Sequence, residues 1–349
     1  MSRIVYFTNG YLPDREGVSK ELSVLHNHFS KIFLCKTYLH NLSDRWQLRL
    51  GKGFVSYPDM FLPIGYPLLK YLEKKADLVH IYGSLTGRLY LSLIKKRPLI
   101  ITNASALITE RLEQCAPAWT SIDIIVVESE RDSETLRKMG VDSKKVFLVY
   151  PGVPTHNIPA PTVDTPFTIL FASAPIAKDP DGLHRRGVSL LIEAAKRLAD
   201  CQFIFLWRGR HKEALDLMLS RAGTNNIKVI NEIVPGINSL MANIHCTILS
   251  PEDWDECKPC PNSLIEALAC GRPVLASNRV GISDLIQRER CGITFSPDPA
   301  EVENAILKLR GNYETYRRNA LPTALKYFSV EKFVGAYEDL YEKLGIRKK

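Results

Sequence analysis

The densest chemistry in the chain lies between Lys258 and Ala276, which reads Lys-Pro-Cys-Pro-Asn-Ser-Leu-Ile-Glu-Ala-Leu-Ala-Cys-Gly-Arg-Pro-Val-Leu-Ala. Two prolines end an irregular loop, and Asn262 or Ser263 is the right type of residue to cap a helix. Ser263 and Glu266 stand in the S-x-x-E spacing of a capping box, and capping alone would account for Glu266. Leu264, Ile265, Ala267, Leu268 and Ala269 leave the helix little polar surface, so it is expected to be buried. Gly271 suits the left-handed residue that ends a helix, and Pro273 prevents continuation. Residues 274–276 then read as a buried parallel strand. A loop held open ahead of a helix gathers unpaired N–H groups at the positive end of the dipole, a setting that suits a diphosphate. Cys257-x-x-Cys260 has metal or redox spacing, but no second pair at zinc-finger spacing accompanies it.

The elements that must position this loop alternate strand and helix. Residues 3–8 (RIVYFT) form an apolar strand, a loop bearing Gly17 follows, and then a helix with Val18, Leu22, Leu25 and Phe29 on one face. Strand, glycine-bearing loop, helix is the opening of a doubly wound fold. Further strands are expected at 31–38, 77–81, 98–102, 122–127 and 146–150, with Ser129 and Gly140 bounding the helix before the last. Residues 41–75 carry aromatic and proline-rich patches and read as a packed surface loop; an acceptor-lining segment or a membrane contact are the other readings. From Tyr150 to Pro166 five prolines fall in seventeen residues, the mark of a semi-rigid linker between domains. A second set of strands is expected at 167–172, 202–206, 227–230, 246–249 and 292–295. Trp207-Arg208-Gly209 follows the strand at 202–206, at the end where open α/β sheets bind ligands, which makes Arg208 a candidate phosphate contact. A last helix at 330–344 shows Phe333, Tyr337, Leu340 and Tyr341 on one face.

With 349 residues, 45% hydrophobic and 24% charged, the chain suits two ordinary globular domains, each with its own core. The net charge of +8 is uneven: residues 1–160 hold 21 Lys+Arg against 15 Asp+Glu, net +6, and residues 161–349 hold 25 against 23, net +2. A basic first half is compatible with an acidic acceptor or an anionic membrane surface, and equally with plain solvation. A nucleic-acid partner is not expected, because there is no dense basic helix or RNA-binding aromatic motif. The scattered cysteines, the lack of a leader and the lack of any apolar run near the roughly 18 residues of a membrane span point to a cytoplasmic protein, with room for peripheral contact at the inner face of the membrane.

The stretch 258–276 resembles the retaining GT-B glycosyltransferases of family four, the glycosyl transferases group 1. There a glutamate precedes, by eight residues, a segment Glu-Ala-x-Ala-x-Gly-x-Pro-Val that binds the nucleotide-sugar donor. Asn262, Glu266, Ala267, Ala269, Gly271, Pro273 and Val274 match, and Lys258 stands in place of the first glutamate. The resemblance is strongest over residues 186–296 and extends loosely over nearly the whole chain. It implies an α/β protein of two Rossmann-like doubly wound domains facing a cleft. Residues 1–158 would form the acceptor side and 159–329 the donor domain, with 330–349 packing back on the first. The implied reaction is transfer of a sugar from a UDP- or GDP-linked nucleotide-sugar to a glycan, lipid-linked or other hydroxyl acceptor. It would proceed with retention of configuration, without a metal or other cofactor.

The same resemblance implies a set of roles. Arg186, standing where the family has a lysine, would neutralise the diphosphate, helped by Arg185 or by Arg208 and Gly209. The N–H groups of Ser263 and Leu264 would join it, Asn262 would order the loop, and Glu266 would accept from the ribose hydroxyls. Gly17, the surviving half of a Gly-Gly pair, and Asn103, standing where many members have histidine, would face the reacting sugar. Arg186, Glu266 and Asn103 would carry the chemistry. Fixed donors of this kind are worth about 3–4 kcal/mol each.

Three departures stand out: Ala174 replaces an arginine, Asn103 a histidine and Lys258 a glutamate. Lys258 is expected to point to solvent, with Glu252, Asp253, Asp255 or Glu256 supplying the lost acid. The other outcomes are pairing with an acidic sugar such as a uronic acid, or lost catalysis. Asp253-Trp254-Asp255 matches the D-x-D of metal-dependent GT-A enzymes, but it lies deep in the second α/β domain and reads as a chance match. Two alternatives stay open, a non-catalytic relative acting as a nucleotide-binding or partner subunit, and a sugar-nucleotide epimerase or phosphorylase on the same architecture.

Overall fold

The structure, a computed structural model, describes the chain except for residues 9–12, 14–15, 42–52, 59–61, 87–93, 97, 108, 162–164, 174–180, 208–210, 233, 235–236 and 349. Two compact units result, Met1–Gly152 with Val330–Lys349, and Val153–Ser329.

The first unit runs β1 (Arg3–Thr8), α1 (Gly17–Phe29), β2 (Leu34–Asn41), β3 (Phe54–Pro58), α2 (Leu62–Lys75), β4 (Leu78–Gly83), β5 (Leu99–Asn103), α3 (Thr109–Trp119), β6 (Ile124–Val127), α4 (Glu130–Lys138) and β7 (Val146–Leu148). Its parallel strands lie in the order β3-β2-β1-β4-β5-β6-β7. Alternate residues of β1 serve two cores. Ile4 and Tyr6 pack with Leu22, Leu25 and Phe29 of α1, and Val5 and Phe7 pack with Leu69 and Leu72 of α2. A parallel sheet covered on both faces needs apolar side chains on both, which is why β1 reads as an unbroken apolar run.

The second unit runs β8 (Phe167–Phe171), α5 (Gly182–Arg185), α6 (Val188–Arg197), β9 (Cys201–Leu206), α7 (Lys212–Ala222), β10 (Ile227–Ile230), α8 (Ile237–Met241), β11 (Cys246–Leu249), α9 (Asn262–Ala269), β12 (Val274–Ser277), α10 (Ser283–Arg288), β13 (Gly292–Phe295), α11 (Pro299–Gly311) and α12 (Tyr313–Tyr327). Its parallel order, β10-β9-β8-β11-β12-β13, repeats the pattern of the first sheet. The chain then returns to the first unit as α13 (Val330–Lys343). There Tyr341 Oη lies 2.8 Å from His80 Nδ1 and 3.2 Å from Tyr6 Oη, while Thr102 Oγ1 lies 2.7 Å from Tyr337 Oη and 2.8 Å from His80 Nε2. Burial pushes the His80 pKa down to about 3, so a neutral imidazole donates on one side and accepts on the other.

Two expectations change. Residues 41–75 are not a surface loop: they include β3 and α2. Pro67 lies inside α2, and an internal proline reads as a helix stop in sequence. The units divide after Gly152 rather than at residue 158. Val153 N–H donates to Phe328 O at 2.8 Å, His156 N–H to Ala269 O at 2.8 Å, and the buried Arg272 guanidinium holds Ile158 O and Pro159 O, so this stretch of linker is bonded into the second unit.

Candidate active site

In the second sheet the strand order reverses between β8 and β11, and the loops leaving their C-terminal ends meet there. Such a switch point is where open α/β sheets bind ligands. Ser173 lies just beyond β8 and Ser250 directly after β11. Arg186 follows the short helix α5, and Gly187 takes φ +74° to turn into α6. A Cβ at Gly187 would stand 1.9 Å from Ser250 O, so a side chain there is excluded by the neighbouring loop as well as by φ. Ser250 Oγ donates to Gly187 O at 3.2 Å, and Glu252 N–H donates to Arg185 O at 2.7 Å. Arg186 Nη1 donates to Ser173 Oγ at 2.8 Å. Burial lowers the Arg186 pKa, with the charges of Cys257 and Glu256 opposing it, and a guanidinium stays protonated regardless. Arg185 Nε pairs with Glu256. Of the four acids considered as substitutes for the missing glutamate, Glu256 is thus the one against the arginine pair.

The same loop continues into α9. Lys258 Nζ donates to Asn262 Oδ1 at 3.0 Å, so the ammonium turns back over the helix start instead of pointing to solvent as expected. The buried Asn262 amide gives it a fixed acceptor. Helix α9 begins at Asn262 after an extended Pro261 with no side-chain cap, so Ser263 is its second residue and the expected capping box does not form. Leu264 N–H donates to Pro261 O at 3.1 Å, so that amide is engaged within the turn and is not the open donor expected of it. Asn262 is only 9% exposed, and its Nδ2 is buried without a hydrogen-bond partner among the described residues. Only Ser263 and Glu266, one turn apart, leave the helix half-buried; its other residues are buried. Gly271, at φ +70°, ends the helix as expected.

In the first unit Gly17 is the first residue of α1. Asn103 ends β5 fully buried. Its Oδ1 accepts from Leu85 N–H at 2.9 Å and its Nδ2 donates to Ser105 O at 2.6 Å. The amide therefore braces the loops after β4 and β5, which corrects its expected place facing a sugar. Arg208, Gly209 and Ala174 lie outside the described residues. Sequence reasoning missed Glu21, fully buried on α1, which accepts from Tyr82 Oη at 2.8 Å. A signal existed: Glu21 adjoins Leu22 and Leu25 on the apolar side of α1, where a solvated acid has no place. Ser173 and Ser250 carried no signal, since their loops meet only in the folded unit.

Two Rossmann-like units, with a half-buried arginine at the switch point of the second sheet and a polar helix start beside it, describe an α/β protein of the kind that binds ligands at that crevice. Residues 178–312 match the family model described as Glycosyl transferases group 1. The structure of sucrose-phosphate synthase from Thermosynechococcus elongatus superposes with TM-score 0.81 at 14% identity, covering 99% of this chain and 99% of that one. HepE from Anabaena, in complex with UDP-glucose, gives TM-score 0.77 at 13% identity over 98% of this chain and 100% of its own. The lipopolysaccharide outer core galactosyltransferase WaaB gives 0.72 at 16% identity, over 98% and 99%. No curated protein matches by sequence. The second unit carries the region that matches the group 1 model, and the whole chain shares the GT-B fold of these solved structures.

Proposed function

We propose that the protein moves a sugar from a UDP- or GDP-linked donor to a hydroxyl of a glycan or lipid-linked acceptor, with retention of configuration and without a metal or cofactor. The observation that carries this reading is the Asn262 Nδ2 buried at the first residue of α9 with no partner among the described residues, in the loop that Arg185 and Arg186 also engage. A buried donor left unmade costs roughly 1–3 kcal/mol, and a ligand oxygen would offset that cost. Arg186 supplies fixed positive charge to the departing diphosphate, an effect worth about 3–4 kcal/mol when such a donor is removed. Glu266, on the half-open side of α9, accepts from the ribose hydroxyls. HepE and a pneumococcal O-GlcNAc transferase of the same fold have UDP in their structures, which supports a uridine donor. Gly17 at the start of α1 serves the acceptor side, and a lipid-linked acceptor would bring the basic first half against the inner face of a membrane.

Incubation with a panel of UDP- and GDP-sugars, with and without EDTA, tests the proposal. Slow donor hydrolysis that survives EDTA and falls in Arg186→Ala supports it, and product anomeric configuration by NMR tests retention. A non-catalytic, nucleotide-binding relative is the second reading. It is favoured by Asn103, whose amide is bonded at both ends, and by Lys258 in place of an acid. Thermal stabilisation by UDP with no turnover of any donor would select it.

A further inference from the structure

We infer that the outer face of α2 docks on an anionic lipid bilayer. Tyr66, Pro67, Tyr71, Lys74 and Lys75 are exposed and Lys70 is half-buried, and their spacing of i, i+1, i+4, i+5, i+8, i+9 places them on one side of the helix. Leu69, Leu72 and Glu73 are buried on the other side. Every charge on the outer face is positive, because the helix's acid is turned inward. Glu73 accepts the N–H groups of Lys95 and, at 2.7 Å, of Lys96, and pairs with Lys70 at 2.6 Å. This bonding also draws Lys95, exposed, and Lys96, half-buried, alongside the helix. The next acid, Asp77, accepts Arg3 N–H at 2.8 Å.

The aromatic content of the face decides what kind of anion it fits. Tyr66 and Tyr71 are 41% and 58% exposed, and each has a lysine one turn on, Lys70 and Lys75, with Nζ 5.9 Å from the ring centroid. A ring with a polar tip beside a long cationic stem suits the headgroup layer, where tyrosine sits at the interface and lysine reaches the phosphates. Six residues on a convex helix fall well short of the roughly 20–30 per side of a stable protein interface. A bilayer sets no such threshold, and each lysine near an anionic leaflet strengthens binding about fivefold. Among the described residues no helix is long and apolar enough to cross a membrane, so contact through these residues is a surface contact. The inference rests on the lipid-side part of the proposed function and not on its donor chemistry.

Sedimentation of the full chain with vesicles, in the absence of donor and acceptor, tests it. Binding is expected to vesicles of mixed phosphatidylglycerol and phosphatidylcholine, to weaken with salt, and to be absent with phosphatidylcholine alone. K74Q/K75Q is expected to lower the partition about twenty-five-fold, two lysines at about fivefold each, and Y66S/Y71S to lower it while keeping the salt dependence. Melting temperatures matching the parent show that the variants fold. Equal binding to both vesicle types, no binding to either, or unchanged binding of K74Q/K75Q overturns the inference. So does lysine-dependent binding to duplex DNA with vesicles ignored. Donor hydrolysis by K74Q/K75Q at the parent rate, alongside lost sedimentation, separates this surface from the donor site.

Discussion

Alanine at Gly187 tests the meeting of two loops on which the proposed donor site depends. Gly187 and Gly271 both have left-handed backbone, φ +74° and +70°. Forcing alanine into that region costs about 1 kcal/mol at either position. At Gly271 the new Cβ meets nothing within 4 Å, whereas at Gly187 it falls 1.9 Å from Ser250 O and 2.5 Å from Ser250 Oγ. Ordinary contact begins at 3.4 Å, so the Ser250 backbone must retreat by 1.5 Å (3.4 less 1.9). Overpacking of this kind costs roughly 1–3 kcal/mol. Gly187→Ala should therefore lose about 3 kcal/mol against about 1 for Gly271→Ala. In a unit of this size each kcal/mol lowers Tm by roughly 2–4 °C, so calorimetry should show falls of roughly 10 °C and roughly 3 °C. The displaced loop also leaves Arg186, whose carbonyl accepts from Ser250 Oγ, so UDP affinity by titration calorimetry should drop about tenfold or more in Gly187→Ala alone. Equal melting temperatures for the two variants would refute the close approach and the site geometry built on it.

Three other perturbations give separate readings. Arg272 spans Met241 O, Ile158 O and Pro159 O with a fully buried guanidinium; Arg272→Met should cost about 3 kcal/mol or more in thermal unfolding, and Arg272→Lys should recover only part, because an ammonium cannot reproduce the fork. Full recovery with lysine would be evidence against that fork. His80, its pKa pushed down to about 3 by burial, stays neutral when folded but binds a proton when unfolded. Stability should thus fall as pH drops from 7 to 5, by about 2 kcal/mol from this residue. Denaturant titrations at the two pH values should show that increment missing in His80→Asn. Lys258→Met removes a positive charge at the start of α9 and should weaken UDP about tenfold while leaving uridine unchanged, by titration calorimetry. An equal loss for both ligands would place Lys258 away from the phosphates.

Much of the framework was legible in the residues. Buried parallel strands announce themselves as apolar runs, and β1, β10, β11 and β13 fall where such runs were read. The Ser129 cap and the Gly271 stop follow from rules acting within one turn of backbone. Helix α2 was hidden because Pro67 contradicts its apolar spacing, and packing of Leu69 and Leu72 into the core overrides that local penalty. Polar partnerships were beyond reach for a different reason. Lys258 turns to Asn262, Asn103 is held between two loops, Glu21 meets Tyr82, and Arg186 meets Ser173 and Ser250 only because the sheet order makes distant loops neighbours. Periodicity and propensity act over a few residues, so they set which elements form. Which charge or amide a polar side chain finds depends on atoms brought in from elsewhere in the chain, and tertiary packing alone decides that.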